Sequence, residues 1–377
     1  MPASGLRQQT TGYFMDIDII LEADVSPQQF AELSVEAEKL GVRAMWSSNY
    51  HQNYDAFLVM APAAAATSKI KLGALAVSPW EMHPLKMANA LLTLNELSNG
   101  RAMVALSGGG GVLGACGWKI HPGQEEPWPL KDPVMLNRYP ERRVTGVREG
   151  IEVLKLARSG EMAYSYDGDI FQITRPFVMD WANSGDPLVY GCCSGPMMQR
   201  MGARVADAIQ VSDFTVEMMP EVMQNLEAGF AKREGGKPDD FRVGNFWAWH
   251  IKDDLEVAMK EARRELVWRG AIAGRYKHEI RPHTNDEAEV ELICENFMNF
   301  LKAYWTRTGV IDNIPDELSE RLVKGMASTG DLSNMEEELE RFQGFADNGL
   351  TELSIRLFDD PMDALKLIGK HVMPKFS

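Results

Sequence analysis

Residues 70–111 read IKLGALAVSPWEMHPLKMANALLTLNELSNGRAMVALSGGGG, and this stretch decides the fold. The apolar run that ends at Pro79 predicts a strand, and LKMANALLTLNEL predicts an amphipathic helix closed by Asn99 and Gly100. RAMVALS predicts the next strand, which leads into four consecutive glycines. A strand, a helix and a second strand joined by short connections predict a parallel βαβ unit.

The same alternation continues on both sides of this unit. Towards the N-terminus, MDIDIILEA predicts the first strand, Ser26-Pro27 the start of a helix that ends at Gly41, and VRAMWSS the second strand. Towards the C-terminus, EMAYSYDGDIFQI predicts a β-hairpin that turns at Asp167-Gly168. Further strands are predicted at DPLVYGCCS, AIQVSD, FRVGNFWAWHI and LTELSIRLF. Eight strands that alternate with helices indicate an α/β protein with a (β/α)8 TIM barrel.

Length and composition fit one such barrel and limit its partners. Barrels run from about 200 to over 400 residues, so we predict a short arm at 1–14 and one domain over 15–377. We expect insertions on the C-terminal face at about 108–138 and 254–326. A formal net charge of −15 argues against nucleic acid, whose phosphates would be repelled. It does not argue against a cofactor phosphate held by backbone amides.

Cysteine spacing and hydropathy point to a protein of the cytoplasm. No CxxC pair occurs, so we predict reduced thiols and neither a disulfide framework nor a metal site. The cysteines are Cys116, Cys192, Cys193 and Cys294. No apolar run approaches the roughly 18 residues that span a bilayer, and we expect no signal peptide and no membrane partner.

The C-terminal ends of the strands are the expected place for chemistry in such a barrel. Strand four ends in Ser107 and the glycine run, which either lets backbone approach a ligand closely or forms a flexible loop. Strand five leads through Gly191–Pro196 into a helix, where Ser194 either helps to bind an anion or only caps the helix. The remaining candidate ends are Ser47–His51, Leu75–Pro79, Trp247–His250 and Arg356.

Ring side chains near these ends allow two interpretations. His51 is either an acid–base group or a surface residue, and His250 either faces the pocket or packs in the structure. We predict that His83, which precedes Pro84 at a helix start, is structural. The tryptophans either wall an aromatic pocket or pack between barrel and helices. The four in question are Trp118, Trp128, Trp247 and Trp249.

Segments spread over residues 15–373 resemble the luciferase-like superfamily of flavin and F420 oxidoreductases. Residues 70–111 resemble its third-to-fourth-strand signature, and YGCCSGPMMQRMGARVADAI resembles its fifth-strand phosphate segment. RYPERRVTGVREGIEVLKLARSGEMAYSYDGDIFQI is similar to the family's helix and hairpin, and MASTGDLSNMEEELERFQGFADNGLTELSI to its closing helix and strand. LNELSNGRA and SGPMMQRMGARVADA are most similar to F420-dependent methylenetetrahydromethanopterin reductase and related enzymes.

The resemblance implies a cofactor at the barrel mouth. It places a non-prolyl cis peptide at Leu75-Ala76, in a bulge of strand three behind the cofactor ring. It implies substrate-facing catalytic groups at Asn49 and His51. Cofactor contacts are implied at Ser48, Leu75, Ala76, Ser107, Gly108, Gly109, Cys193, Ser194, Gly195, Pro196 and Met197. FMN-dependent members often carry Ser-Ser-Pro where this chain has Ser-Gly-Pro, which favours coenzyme F420 over FMN.

Two positions depart from the F420-dependent relatives. Ser48-Asn49 stand where those relatives usually carry Asp-His at the end of strand two. Gly110 stands where an acidic residue after the strand-four glycines is common. The usual proton-handling groups are therefore absent: either His51 takes over the acid–base work, or the substrate needs none.

We predict an F420-dependent oxidoreductase that transfers a hydride between the deazaflavin and a small organic substrate. One alternative is an FMN-dependent luciferase-like monooxygenase, because the same barrel serves both chemistries. A second alternative is a non-catalytic cofactor-binding or partner subunit, which the missing Asp-His would fit. The resemblance also implies a homodimer formed through helices near strands two and three.

Overall fold

The apolar runs predicted as strands form a closed parallel barrel. The computed structural model describes residues 15–109, 112, 113, 115 and 142–376. The barrel strands are β1 (Asp16–Leu21), β2 (Ala44–Ser48), β3 (Lys71–Val77), β4 (Ala102–Leu106), β5 (Leu188–Cys192), β6 (Ala208–Ser212), β7 (Arg242–Ile251) and β8 (Glu352–Leu357). Neighbouring strands pair in that order and β8 returns to β1, which closes the ring and confirms the predicted (β/α)8 barrel. Most strand residues are apolar because both faces of the barrel wall are buried, and the polar ones include the buried Asp18, Glu352 and Ser354.

Helices cover the outside of the barrel. They are α1 (Pro27–Leu40), α2 (Ala61–Ala66), α3 (Pro84–Leu97), α4 (Arg143–Arg158), α5 (Pro196–Val205), α6 (Met219–Phe230), α7 (Leu255–Glu265), α8 (Gly270–Gly274), α9 (Lys277–Ile280), α10 (Glu287–Glu295), α11 (Phe297–Thr306), α12 (Asp316–Met326), α13 (Met335–Asp347), α14 (Pro361–His371) and α15 (Met373–Phe376). Short 3-10 turns lie at Leu58–Met60, Val216–Met218, Leu266–Trp268, Arg281–His283 and Leu332–Asn334. None of the described helices combines the length and apolar character needed to cross a bilayer.

Helix α1 shows how local sequence sets these boundaries. The Ser26 hydroxyl accepts a hydrogen bond from the Gln29 amide, and the Gln29 side chain accepts one from the Ser26 amide. Pro27 occupies the first helical position, and Gly41 ends the helix with a left-handed φ of 86°. The start and end predicted for this helix are therefore confirmed.

The predicted hairpin forms, but it turns later than expected. Asp167 pairs with Gln172 in a two-residue ladder (Tyr166–Asp167 with Gln172–Ile173), so the connection spans 168–171 and the predicted turn at Asp167-Gly168 is wrong. The buried Glu149 carboxylate of α4 accepts hydrogen bonds from the amides of Asp169, Ile170 and Phe171. The loop is thus held by a side chain from another element, which local turn propensity does not show.

The predicted insertion after β7 is a helical layer with a core of its own. Helices α8–α12 and the outer part of α7 bury one apolar cluster, which includes Ile280, Val290, Phe300 and Leu322. After α12 the chain returns to the barrel as a short strand, Ser328–Gly330, which pairs in parallel with β7. The insertion therefore stands beside the C-terminal end of the barrel and contributes a wall there.

The opposite, N-terminal end of the barrel is closed by ion pairs. Arg43 contacts the carboxylates of Asp18 and Glu352, and both carboxylates are fully buried. Arg242 donates to Glu352 from the other side, and the hydroxyl of Tyr190 donates to the same carboxylate at 3.2 Å. Because these charges are paired with one another inside the barrel, we assign this end a role in stability and not in catalysis, as the fold leads us to expect.

Candidate functional site

A cavity of about 830 Å³ opens at the C-terminal ends of the barrel strands, where the barrel rule places chemistry. Every strand from β2 to β8 contributes to its wall, directly or through the residues that follow it. The lining residues at or just after strand ends are Ser48, Asn49, Tyr50, Leu75, Ala76, Ser107, Gly109, Ser194, Gly195, Pro196, Ser212, Phe214, Phe246 and Arg356. The structure therefore brings together nine of the thirteen residues proposed for the site from sequence: Ser48, Asn49, Leu75, Ala76, Ser107, Gly109, Ser194, Gly195 and Pro196.

A bulge in β3 forms the floor of this cavity. The Leu75-Ala76 peptide bond is cis, where the resemblance places it, and the pairing of β3 with β4 shifts register between Ala74 and Val77. The backbone amide of Asn49 donates to the Leu75 carbonyl at 2.7 Å, and its side-chain amide donates to the Ala76 carbonyl at 3.1 Å. Asn49 therefore ties the end of β2 to both carbonyls of the bulge.

A carboxyl group stands behind Asn49. The Asn49 side-chain amide also donates to Glu81 Oε1, and within the described residues Glu81 Oε2 is buried without a partner. Burial raises the pKa of Glu81, although hydrogen bonds from Ser78 and Asn49 act in the opposite direction. Both N–H groups of the Asn49 amide are thus directed at acceptors on the protein side.

The end of β4 shows why one residue of the glycine run is glycine. Gly109 lines the cavity with a left-handed φ of 76°, and a Cβ there would lie 2.5 Å from the Ser78 side chain. The Ser107 hydroxyl accepts a hydrogen bond from the Gly109 amide at 3.1 Å. Gly108 instead faces Arg143 and does not line the cavity. Gly110, where F420-dependent relatives often have an acid, lies outside the described residues.

The junction of β5 and α5 leaves a helix N-terminus open to the cavity. The N-cap is Gly195 and makes no side-chain capping bond, so the alternative that Ser194 only caps the helix is wrong. First-turn amides have no acceptor within their own helix, and Pro196 removes one of them. Gln199 holds the turn by donating to the Ser194 carbonyl at 3.2 Å. Open amides and the nearby Ser194 hydroxyl at a helix N-terminus suit an anion.

Four of the residues proposed from sequence lie away from the cavity wall. The Cys193 amide donates to the Gln210 carbonyl, and its side chain is buried against Gly202 of α5. Met197 is 67% exposed on the outer side of α5, and Gly108 has been described above. His51 is exposed, because the chain bends away from the barrel after Tyr50. Residue type at a strand end did not reveal these directions.

Two aromatic residues of β7 and the histidine beside them also point away from the cavity. Successive side chains of a strand face opposite sides, so Phe246 faces the cavity while Trp247 packs against Phe345 of α13. His250 is buried, hydrogen-bonds Glu261 through Nδ1 at 2.8 Å, and has its pKa lowered by that burial. The packing alternative is therefore correct for Trp247, and likewise for Trp249. Trp118 and Trp128 lie outside the described residues.

The structure also tests the predictions made for His83, for the cysteines and for a metal site. His83 caps α3 through Nδ1, which accepts a hydrogen bond from the Leu85 amide, so its predicted structural role is confirmed. Cys192, Cys193 and Cys294 are free thiols, whereas Cys116 lies outside the described residues. Within the described part of the chain, no three His, Cys, Asp or Glu side chains converge as a metal site would require.

Strand β8 contributes a charged group that the sequence named only as a strand end. Arg356 lines the cavity and donates through Nε to Glu22 at 2.5 Å and through Nη2 to the hydroxyl of Tyr50. Burial would lower the pKa of Arg356, but the charge of Glu22 raises it above its ordinary value. Burial likewise raises the pKa of Tyr50. The cavity therefore holds a permanently charged guanidinium.

The remaining wall comes from the loop after β6 and from the insertion, and no sequence motif singled it out. Its residues in the insertion are Trp268, Gly270, Ala273, Gly274, Tyr276, His278, Glu279, Pro282 and His283. Burial lowers the pKa of His283 and raises the pKa of Glu279. Thr215, Glu217, Met218, Glu221 and Val222 complete the same side. Aromatic and polar groups thus face the strand ends across the cavity.

Comparison with known families agrees with this architecture. The family model described as luciferase-like monooxygenase matches residues 10–348. The chain belongs to this family. A curated family relative, the 5,10-methylenetetrahydromethanopterin reductase of Archaeoglobus fulgidus, is 24% identical over 345 residues, which cover 90% of this chain and 93% of the relative.

Solved structures of the family share the fold. The coenzyme F420-dependent tetrahydromethanopterin reductase of Methanopyrus kandleri superposes with a TM-score of 0.73 at 22% identity, covering 97% of this chain and 100% of the other. The oxygenating constituent of 3,6-diketocamphane monooxygenase of Pseudomonas putida, solved with FMN, gives 0.60 at 18% identity, with coverages of 97% and 99%. At these identities the similarity establishes the barrel fold but does not decide between F420 and FMN as the cofactor.

Proposed function

We propose that the protein is an F420-dependent oxidoreductase that transfers a hydride between the deazaflavin and a small organic substrate. The observation that carries the proposal is one cavity that joins the bulge at Leu75-Ala76 to the open N-terminus of α5. The reductases named above, one of them described as dependent on coenzyme F420, support the choice of reaction class. When bound, F420 supplies the hydride chemistry, and the protein supplies position and electrostatics.

The residues present fit a ring-bearing cofactor with one phosphate. Leu75 and Ala76 offer an apolar floor, and Gly109 lets the backbone after β4 pack closely against Ser78 beside that floor. At the far side, the Ser194 hydroxyl and the first amides of α5 would hold a phosphate without any lysine or arginine. This arrangement also explains how a strongly acidic chain could retain an anionic cofactor.

Neither of the two residues proposed as catalytic from sequence, Asn49 and His51, is assigned an acid–base role in this site. Asn49 does line the cavity, but an amide does not titrate, and its N–H groups are committed to Ala76 and Glu81. We therefore propose that Asn49 presents its carbonyl oxygen to the bound molecules as a hydrogen-bond acceptor. His51 lies outside the wall, so we assign it no part in the reaction. Assembly as a homodimer stays a prediction.

Titration of the purified protein with F420 and with FMN tests the proposal. Because Trp268 lines the cavity, quenching of tryptophan fluorescence reports binding of either cofactor. We expect tight binding of F420 and weak binding of FMN. Preference for FMN, together with oxygen consumption when a reductant is supplied, would instead establish the monooxygenase alternative. Absence of binding for both cofactors would establish the non-catalytic alternative.

Ser194→Ala tests where the phosphate binds. Loss of a hydroxyl that donates to a charged oxygen costs about 1.5–3 kcal/mol, so the Kd for F420 should rise about 10-fold to 100-fold. Ser159→Ala is the matched control, because Ser159 is exposed at the end of α4, away from the cavity. An unchanged Kd in Ser194→Ala would exclude this junction as the phosphate site.

A further inference from the structure

The guanidinium of Arg356 is held on two of its three nitrogens by groups of the protein. Nε donates to Glu22 at 2.5 Å, and Nη2 donates to the hydroxyl of Tyr50 and, at 3.4 Å, to that of Ser48. The guanidinium carbon lies 6.0 Å from the ring centre of Tyr50 and 5.9 Å from that of Phe358. The side chains of Arg356 and Glu22 are only 17% and 22% exposed. The orientation of the guanidinium is therefore fixed before any ligand arrives.

The third nitrogen, Nη1, has a different environment. Among the described residues no acceptor lies within hydrogen-bonding distance of it, although Arg356 forms part of the cavity wall. A planar guanidinium that is pinned on one edge presents its free N–H groups in a fixed direction. The open edge therefore offers donors to a molecule in the cavity.

The positive charge of Arg356 is only partly compensated by the protein. Glu22 is the one carboxylate that hydrogen-bonds Arg356 within the described residues, and it also accepts a hydrogen bond from the Tyr50 hydroxyl. A positive charge on a mostly buried side chain acts more strongly on a nearby negative charge than it would in water. An oxygen with negative charge is therefore the ligand that the open edge fits best.

We propose that the open edge of Arg356 binds a negatively charged oxygen at the reaction end of the cavity. This inference rests on the proposed function, because two sources of such an oxygen follow from it. One is the pyrimidine half of the reduced deazaflavin, where the electrons added on reduction place negative charge on a ring nitrogen and the neighbouring carbonyl oxygen. The other is a carboxylate or developing alkoxide of the substrate. Charge placed beside a cofactor ring tunes its redox behaviour.

Affinities for oxidised and for chemically reduced F420 test the cofactor source. They are measured without oxygen by quenching of tryptophan fluorescence, and the quantity compared is the ratio of the two Kd values. In Arg356→Met the preference for the reduced form should fall about 10-fold or more, because a charge-assisted hydrogen bond is lost. A 10-fold change corresponds to a fall of about 30 mV in the potential of the bound two-electron couple.

Glu22→Gln distinguishes an electrostatic role of Arg356 from a purely structural one. Removing the compensating carboxylate leaves the guanidinium more positive, so the preference for reduced F420 should rise. A structural role predicts that both substitutions weaken both redox forms in the same direction. Arg356→Met leaves Glu22 buried without its partner, so the double variant Glu22→Gln/Arg356→Met serves if the single one does not fold. Arg356→Lys keeps the charge without the fork and should give an intermediate ratio.

Acetate tests the substrate source on protein both free of F420 and loaded with oxidised F420. If acetate quenches the fluorescence of the parent protein but not of Arg356→Met, while the Kd ratio is unchanged, the oxygen belongs to the substrate. If both the ratio and the acetate response are the same in parent and variant, the proposal is overturned. Failure of the parent protein to bind F420 would refute the proposed function alone, because the acetate measurement on cofactor-free protein still tests Arg356.

Discussion

Asn49→Asp is the substitution for which the structure makes the sharpest prediction. In the parent protein the Asn49 amide donates to the Ala76 carbonyl and to the carboxyl of Glu81. An aspartate of the same shape would place a second carboxylate against these two acceptors. Two like charges about 4 Å apart repel by about 4 kcal/mol at an effective dielectric of about 20. The folded variant is expected to avoid this repulsion by keeping one proton on the carboxyl pair.

The energetic effect of that proton depends on pH. Holding a carboxyl protonated costs about 1.4 kcal/mol for each pH unit above its unfolded pKa of about 3.9. The variant should therefore lose about 4 kcal/mol of unfolding free energy at pH 7 but only about 1.5 kcal/mol at pH 5. The sign follows because the folded state binds a proton that the unfolded chain releases. The raised pKa of Glu81 in the parent protein shows that this position already disfavours charge.

Urea denaturation at pH 5, 6 and 7 measures this difference. Asn49→Leu is the matched control, since it removes the same donor without adding charge. Its deficit should rise with pH less steeply than that of Asn49→Asp, because it only removes a hydrogen bond that opposes the raised pKa of Glu81. Adding Glu81→Gln to Asn49→Asp should restore stability at pH 7, because the amide of the new glutamine donates to the aspartate. A deficit of Asn49→Asp that does not change with pH, or that equals the deficit of Asn49→Leu throughout, would refute the role given to Glu81.

Three further predictions concern the frame that holds the site. Arg43→Met removes the ion-pair partner of the buried Asp18 and leaves the buried Glu352 paired only with Arg242, so it should cost about 3–5 kcal/mol of unfolding free energy, measured by urea denaturation. Glu149→Gln keeps the shape of the side chain but weakens three hydrogen bonds from the amides of the hairpin loop. Amide hydrogen exchange over 168–171 should therefore accelerate about 10-fold or more, while α4 stays protected. Burial raises the pKa of Glu338 to about 7, so the unfolding free energy should fall by on the order of 3 kcal/mol as pH rises from about 4.5 to 7. Glu338→Gln should remove this dependence of the unfolding free energy on pH. An equal dependence in both proteins would contradict the prediction.

The strands and the location of the cavity follow from the sequence because they depend on local patterns. Apolar runs of strand length mark β1–β8, and parallel strands bring their C-terminal ends to one face. That rule alone placed Asn49, Leu75 and Ser194 in one cavity. The rule failed for Cys193, whose amide donates to the Gln210 carbonyl of β6. It also failed for His51, which is exposed in a bend that the sequence does not reveal.

Glu81, which the sequence did not single out, and Arg356, which it named only as a strand end, act through contacts across the chain. Glu81 matters because it meets Asn49 from the loop after β3, and Arg356 because Glu22 and Tyr50 meet it from two other strand ends. Nothing in the residue type marks either one, although Glu81 lies within the stretch 70–111. The wall contributed by the insertion is likewise defined by tertiary packing, because it comes from α8, α9 and the turns beside them, which are too short to show an apolar period in the sequence.

The separate apolar cluster beneath α8–α12 has a consequence for how this protein can change. Because that cluster is distinct from the barrel core, substitutions at Trp268, Tyr276 or His283 alter the outer side of the cavity without disturbing the strands. Selection for a new substrate can therefore act on this layer while the strand-end residues stay as they are. The same division makes the insertion a natural unit for grafting between members of the family.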